Sequence, residues 1–314
     1  MTQRLVFRED KSFTIVQFTD VHWQNGDEPD EKSRRLMNTV LDAEQPDLVV
    51  FTGDTIMGLH AKDPIRAFKE AVAPVEKRGI AWAAVFGNHD EEGGKTPVTK
   101  EQLMEVQEHS EYGIGSAGPE DVNGVGNFVL ELAGNTSGST KAVLYFLDSG
   151  AYAPEEIGGY DWIRKSQIDW YAKLSADYRA NNGGEPVPSL AFFHIPLPEY
   201  ADAWNQNVGY GNKLEMVCAS RINSGFFAAM VENGDVMGTF VGHDHINDYW
   251  SEHHGIRLCY GRASGHNTYG REGFPRGARV IRLRMGERSF DTWLRLEDGT
   301  VVAQQEEHRP EPAV

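Results

Sequence analysis

Five times along this 314-residue chain an apolar run of strand type ends directly in aspartate, asparagine or histidine. The stretch "FTDVH" brings Asp20 and His22, "FTGD" brings Asp54, and "FGNHD" brings Asn88, His89 and Asp90. Further on, "AFFHIP" brings His194 and "GHDH" brings His243 and His245. In an open α/β sheet the carboxyl ends of the strands converge on one crevice, where ligands bind. Strand ends loaded with oxygen and imidazole donors, and none with a thiol, predict a mixed nitrogen and oxygen metal site with more ligands than one ion needs. Each fragment alone fits a turn or a helix cap, but their joint occurrence in this order does not. His243 and His245 are spaced i, i+2, which on a continuing strand would turn both rings to one face.

The runs over 13–19, 47–53 and 80–87 alternate with helical patterns, as a parallel βαβ arrangement requires. One helix is expected over 33–43, and a second after Asp63, with Pro64 at its first position. Thr99 and Gln102 form a capping-box pattern ahead of a third. From residue 127 the texture changes. Strands over 127–132 and 142–149 flank a Gly/Ser/Thr loop and read as a hairpin, and "IRLCYG", "ARVIRLR" and "FDTWLRL" are hairpin-like again. The stretch "GIGSAG" (113–118) fits G-x-G-x-x-G, but no strand feeds it and Pro119 follows, so it is read as a loop. The expectation is a single α/β domain over 1–303, with a polar, unordered tail over 304–314.

Acidic residues outnumber basic ones 47 to 30, for a formal charge of −17. That balance argues against a nucleic-acid surface, yet it permits an anionic substrate, because a bound metal inverts the local field. Cys218 and Cys259 are the only cysteines, which excludes a disulfide framework and a thiolate zinc cluster. The first residues lack the apolar stretch of a signal peptide and no run approaches membrane-spanning length, so a cytoplasmic setting without a membrane partner is expected.

The ordered set D-x-H, GD, GNHD, a strand-ending His and GH-x-H resembles the calcineurin-like metallophosphoesterases over nearly the whole chain. The stretches "QPDLVVFTGD", "LYFLDSG", "FFHIPLPEY", "NSGFF" and "GHDHIND" look like the plant and fungal branch grouped with purple acid phosphatases. The resemblance implies a four-layer α/β/β/α sandwich of two mixed sheets, with a dinuclear metal site at the strand C-terminal ends. It implies that Asp20, His22 and His245 bind the first metal, that Asp54 bridges, and that Asn88, His194 and His243 complete the second. The metals would be manganese, iron or zinc, divalent or trivalent.

Two carboxylates against two divalent ions leave about +2, enough to hold a phosphate and to ionise a bridging water. By the same resemblance His89 protonates the leaving group, Asp90 orients its ring, and Asn88 and His89 contact the substrate. Asp244 and Asp248 are expected in turns or behind the ligands. His266 is a candidate substrate-facing residue, and Tyr200, Trp204 and Tyr210 are candidates for a specificity rim.

One departure stands out. The stretch "GDTIM" places Met57 where purple acid phosphatases carry an iron-binding tyrosine, so no purple colour is expected. The implied activity is hydrolysis of a small phosphorylated substrate or a phosphoprotein. A dinuclear hydrolase of a non-phosphate bond and a catalytically silent metal-binding scaffold are the alternatives.

Overall fold

The strand Ser12–Phe18 is buried along its entire length, as a strand covered on both faces must be. Leu48–Thr52 lies parallel to it with Leu48 opposite Ile15, and Trp82–Val85 lies parallel in turn with Trp82 opposite Val49. Gly277–Arg284, Phe290–Leu296 and Val301–Val302 extend this sheet on the other side by antiparallel pairing, giving six strands. These and the features below come from a computed structural model that describes residues 4–135 and 138–310.

A second sheet of nine strands has a parallel centre formed by Thr140–Phe146, Ser189–Phe192, Val236–Val241 and Ile256–Tyr260. Phe128–Ala133 closes the expected hairpin with Thr140–Phe146; Thr136 and Ser137 of its loop lie outside the described residues. Alternate residues of this sheet face opposite ways. Phe128, Phe146, Phe192 and Phe240 stack in a ladder with ring centroids 4.5–5.2 Å apart, and Phe240 meets Phe290 of the six-stranded sheet at 5.5 Å. Such pairs contribute about 0.5–1.5 kcal/mol each beyond the area they bury. The opposite face, with Tyr145, Ala191, Phe193 and Val241, packs under Tyr171, Tyr200 and Phe226 from three helices. Helices Glu28–Glu44, Pro64–Glu76 and Lys100–His109 pack against the apolar cluster of the six-stranded sheet. The expected layering of helix, sheet, sheet and helix is what the chain forms.

Local signals explain the element ends. The Asp63 side chain accepts from the Arg66 amide with Pro64 following, and Thr99 and Gln102 make the reciprocal capping box. The first helix begins earlier than its apolar stripe, because Glu28, Asp30 and Glu31 suit the positive end of the helix dipole. "IRLCY" pairs with Trp250–His253 through a turn at His254 and Gly255, both at positive φ. Among the described residues no helix is long and apolar enough to cross a membrane.

The expectation of an unordered tail is corrected. Glu307–His308 adds to the sheet edge beside Gly209–Tyr210, and His308 stacks on Trp204 with centroids 3.8 Å apart. Gln305 donates to the Asp248 carbonyl at 3.0 Å. An edge strand offers unpaired backbone groups, which a polar segment can satisfy without an apolar face. Residues 311–314 lie outside the described residues.

Candidate metal centre

The strand ends converge as expected, but the ligands themselves sit just beyond the strands. Asp20, His22, Asp54 and His243 all have left-handed backbone, with φ between 49° and 78°. Non-glycine residues adopt this conformation at a cost, and it persists where the surroundings over-determine it, typically at functional sites. The expectation for His243 and His245 changes accordingly. The strand ends at Val241, so alternation no longer applies, and the two rings go to different sub-sites.

Single donor atoms of Asp20, His22, Asp54 and His245 lie within 4.8 Å of one another, and so do those of Asp54, His194 and His243. Asp54 belongs to both groups. Its Oδ2 lies 3.1 Å from His194 Nε2 and 3.7 Å from His22 Nε2, while Oδ1 accepts from the His89 amide at 2.8 Å. His22 Nε2 faces His245 Nε2 at 3.2 Å, and His243 Nδ1 faces His194 Nε2 at 3.3 Å. Metal–nitrogen bonds of roughly 2.0–2.1 Å in tetrahedral geometry give a ligand–ligand edge of about 3.3 Å. The two imidazole pairs therefore have the spacing of two ligands on one ion.

The protonation chemistry fits metals too. His194 Nδ1 donates to the Thr52 carbonyl at 2.8 Å, which leaves Nε2 as the lone pair, and His245 Nδ1 is held by Thr268 Oγ1 at 2.5 Å. Burial holds His22 and His243 down to about 3, so both rings are neutral. Burial also opposes charge on His194, yet Asp54 beside it raises that ring to about 9. The site thus favours a positive charge at that nitrogen. Burial would raise both Asp20 and Asp54, but His245 and His194 bring Asp20 down to about 2, and His194 and His22 hold Asp54 well below the usual range.

Asn88 stands between Gly87 and His89. A Cβ at Gly87 would come within 2.2 Å of Asp54 Oδ1, so only glycine lets this loop approach. The Asn88 Nδ2 donates to the Tyr152 hydroxyl at 3.1 Å, while its buried Oδ1 has no partner among the described residues. A buried amide oxygen without a donor is costly, and a cation is the partner its position calls for. The seven residues expected as ligands thus fit a dinuclear centre.

Two expected roles do not hold. Asp90 does not orient His89. Its carboxylate accepts from the amides of Gly87, Asp54 and Ile56 at 2.7–3.0 Å and pins two ligand loops together. The residue on His89 is Glu92, whose Oε2 lies 2.7 Å from Nδ1. His266 points to Glu297 at 3.1 Å; its segment reaches the centre instead through Thr268 and through Tyr269, whose ring stacks on His245 at 4.2 Å. The proposed aromatic rim dissolves as well. Residues 199–206 form a helix with Tyr200 fully buried, Trp204 packs under the tail, and Tyr210 lies in the edge strand Gly209–Tyr210, stacked on Trp250 at 4.5 Å. Asp244 and Asp248 are not among the clustered donors; their carboxylates accept from Tyr260 at 2.5 Å and from Arg262.

Residues 13–247 match the calcineurin-like phosphoesterase family. The chain belongs to that family. It is 35% identical to "Probable inactive purple acid phosphatase 29" of Arabidopsis thaliana, covering 94% of this chain and 85% of the relative. Against Phosphatase DCR2 of Saccharomyces cerevisiae the identity is 36%, covering 94% of this chain but 55% of that longer protein. Among solved structures, a dimetal phosphatase from Danio rerio superposes with a TM-score of 0.58 at 13% identity, covering 89% of this chain and 98% of that one. GAP50, the anchor in the inner membrane complex of Plasmodium, superposes at 0.57 with 12% identity, covering 96% and 90%. A phosphatase and an anchor share this fold, so fold alone does not decide activity.

Proposed function

We propose that this protein is a metal-dependent phosphoesterase of the cytoplasm, hydrolysing a small phosphorylated substrate or a phosphoprotein. The observation that carries the reading is the complete pair of sub-sites sharing the Asp54 carboxylate. Among the seven ligands only Asp20 and Asp54 are negative. Two divalent ions there would keep a net charge of about +2, which draws in phosphate despite the acidic chain.

When bound, two such ions supply Lewis-acid stabilisation of the phosphoryl oxygens and lower the pKa of water towards neutrality. The chain's own residues do the rest. The His89 ring lies 5.1 Å from the His22 ring, its side chain part-buried and Nδ1 held by Glu92. Its Nε2 is the nitrogen free to pass a proton to a departing alkoxide, an effect worth roughly 10²–10⁴-fold. Three N–H bonds to Asp90 keep the Asp54 and His89 loops in register meanwhile.

The names of the Arabidopsis relatives favour a second reading, a metal-binding scaffold without catalysis. The full chain, incubated with manganese, should be screened against phosphorylated metabolites, phosphopeptides and amide substrates. Metal-dependent phosphate release that disappears in Asp54→Asn supports the proposal. Two bound metals with no turnover would support the scaffold, and amide cleavage alone would indicate a different hydrolase.

A further inference from the structure

Four groups on the rim of the centre form one continuous chain. Asn88 Nδ2 donates to the Tyr152 hydroxyl at 3.1 Å, and that hydroxyl donates to Glu92 Oε1 at 2.6 Å. Glu92 Oε2 takes the other end of its carboxylate to His89 Nδ1 at 2.7 Å. One phenol therefore sets the orientation of a metal ligand and, through one carboxylate, of the proposed general acid. From this geometry we infer that Tyr152 and Glu92 are positioning residues that act as a unit, coupling the Asn88 amide to the His89 imidazole.

The atoms account for both ends. With Nδ2 committed to Tyr152, the Asn88 amide turns its unpartnered oxygen, the only metal-binding atom of an amide, into the buried centre. With Nδ1–H committed to Glu92, the His89 ring cannot flip. A carboxylate accepts that proton from the neutral and the doubly protonated ring alike, so Nε2 keeps its aim before and after proton transfer. Tyr152 is 50% exposed, and the side chains of His89 and Glu92 are 28% and 21% exposed. A half-exposed phenol contributes little to global stability, so the Tyr152 contacts are better explained by what they aim than by what they hold up. The His89 half of the inference rests on the phosphoesterase reading; the Asn88 half does not.

The test uses the full chain and three variants, Tyr152→Phe, Glu92→Ala and Glu92→Gln. Metal-free protein titrated with zinc should show the weaker of two binding steps loosened about 10–100-fold in Tyr152→Phe, the usual effect of losing a partner behind a metal ligand. Glu92→Ala, which takes away the acceptor of the Tyr152 hydroxyl, should loosen the same step by a smaller factor. Glu92→Gln, which keeps an acceptor oxygen, should bind zinc nearly as the wild type does. Wild-type zinc binding in Glu92→Ala would show that the two residues do not act as a unit. Histidine-selective NMR should show a hydrogen-bonded His89 Nδ1 proton in the wild type and in Glu92→Gln, whose amide oxygen still accepts, but not in Glu92→Ala.

With manganese, Glu92→Ala should lose at least about tenfold on glycerol phosphate and far less on 4-nitrophenyl phosphate, whose leaving group needs no proton. Glu92→Gln should recover part of that loss. Unchanged zinc binding in Tyr152→Phe overturns the Asn88 half, and equal losses of Glu92→Ala on both esters overturn the His89 half. If the wild type hydrolyses neither ester while Tyr152→Phe still loosens zinc, the phosphoesterase reading fails and the Asn88 half stands.

Discussion

His22 Nε2 and His245 Nε2 face each other at 3.2 Å, with Asp54 Oδ2 3.7 Å from the first and Asp20 Oδ1 3.4 Å from the second. Two imidazoles and two carboxylates, all buried, are held together by loops whose backbone is itself strained. A bound cation turns this convergence into bonds.

The first expectation follows from that arrangement. Protein purified without chelator should carry two transition metals per chain by elemental analysis. Stripping them should lower the melting temperature. Restoring metal at about a thousand times its Kd should return about 4 kcal/mol for each site filled. Saturation at one metal per chain, or binding of calcium alone, would contradict the two-metal centre.

Asp54 and His89 should separate in their effects. Asp54→Asn replaces the shared carboxylate with a neutral amide and should lose metal and activity together. His89→Asn should keep both metals while slowing alkyl phosphates about 10²-fold or more, with activated aryl phosphates spared. Metal analysis beside the two kinetic assays decides. A His89→Asn protein missing a metal would make that residue a ligand.

Asp90 gives a sharper contrast, because its neighbours are three backbone amides. Asp90→Asn must turn an N–H donor or a weaker acceptor towards those donors. It should loosen both ligand loops, so metal occupancy and thermal stability should fall together. If Asp90→Asn kept both metals and changed only the dependence on leaving group, it would act on His89 after all.

Away from the metals, Lys100 Nζ meets Asp148 Oδ1 at 2.8 Å, with both side chains nearly buried. The Asp148 carboxylate also accepts from the Val125 and Gly150 amides at 2.9 Å, fixing the loop that carries Tyr152. Breaking a buried pair by removing one partner costs about 3–5 kcal/mol. Lys100→Met should therefore lower urea stability by about 3 kcal/mol. Burial opposes the Lys100 charge, but Asp148 and Glu91 outweigh it and raise the ammonium above its ordinary value of 10.5. A raised cation gives stability that is complete below the unfolded value and is lost as pH climbs through the folded one. Denaturation of metal-free protein should show this loss only above about pH 10.5, and Lys100→Met should lack it.

Much of the centre was legible because each ligand follows an apolar strand, and a strand end fixes where its next residues go. The two capping patterns at Asp63 and Thr99 were legible for a similar reason: their partners lie three residues away. What the sequence hid is what distant loops bring in. Tyr152, Thr268 and Tyr269 reach the centre from segments with no periodic pattern. Glu92 alone had a local cue, its i, i+3 spacing from His89 within one turn, and the adjacent Asp90 obscured it. Tyr200 and Trp204 misled because a polar stretch on a helix can still bury one face, and Tyr210 because it pairs in an edge strand. The tail misled because strand pairing at an edge needs no hydrophobic signature.

Colour tests the departure at Met57. Purple acid phosphatases carry a tyrosine at that position; here the imidazole of His22 stands in the first sub-site, and a thioether is a soft ligand unsuited to ferric iron. Three other phenols border the centre, so the question is whether any could replace the missing one. The Tyr152 hydroxyl donates to Glu92 and the Tyr269 hydroxyl to Glu215 at 2.8 Å, which commits both as protonated donors. The Tyr160 ring meets His243 by its edge at 4.2 Å. Without a metal, burial, with nearby acidic groups adding to it, raises the Tyr160 and Tyr269 phenols above their ordinary value. Protein loaded with ferric and ferrous iron should therefore show no intense visible charge-transfer band, and activity should be supported by two divalent ions, manganese among them. A strong visible band that persisted in His22→Ala but vanished in Tyr160→Phe would overturn this, because it would place a phenolate on the metal from the loop that packs against His243.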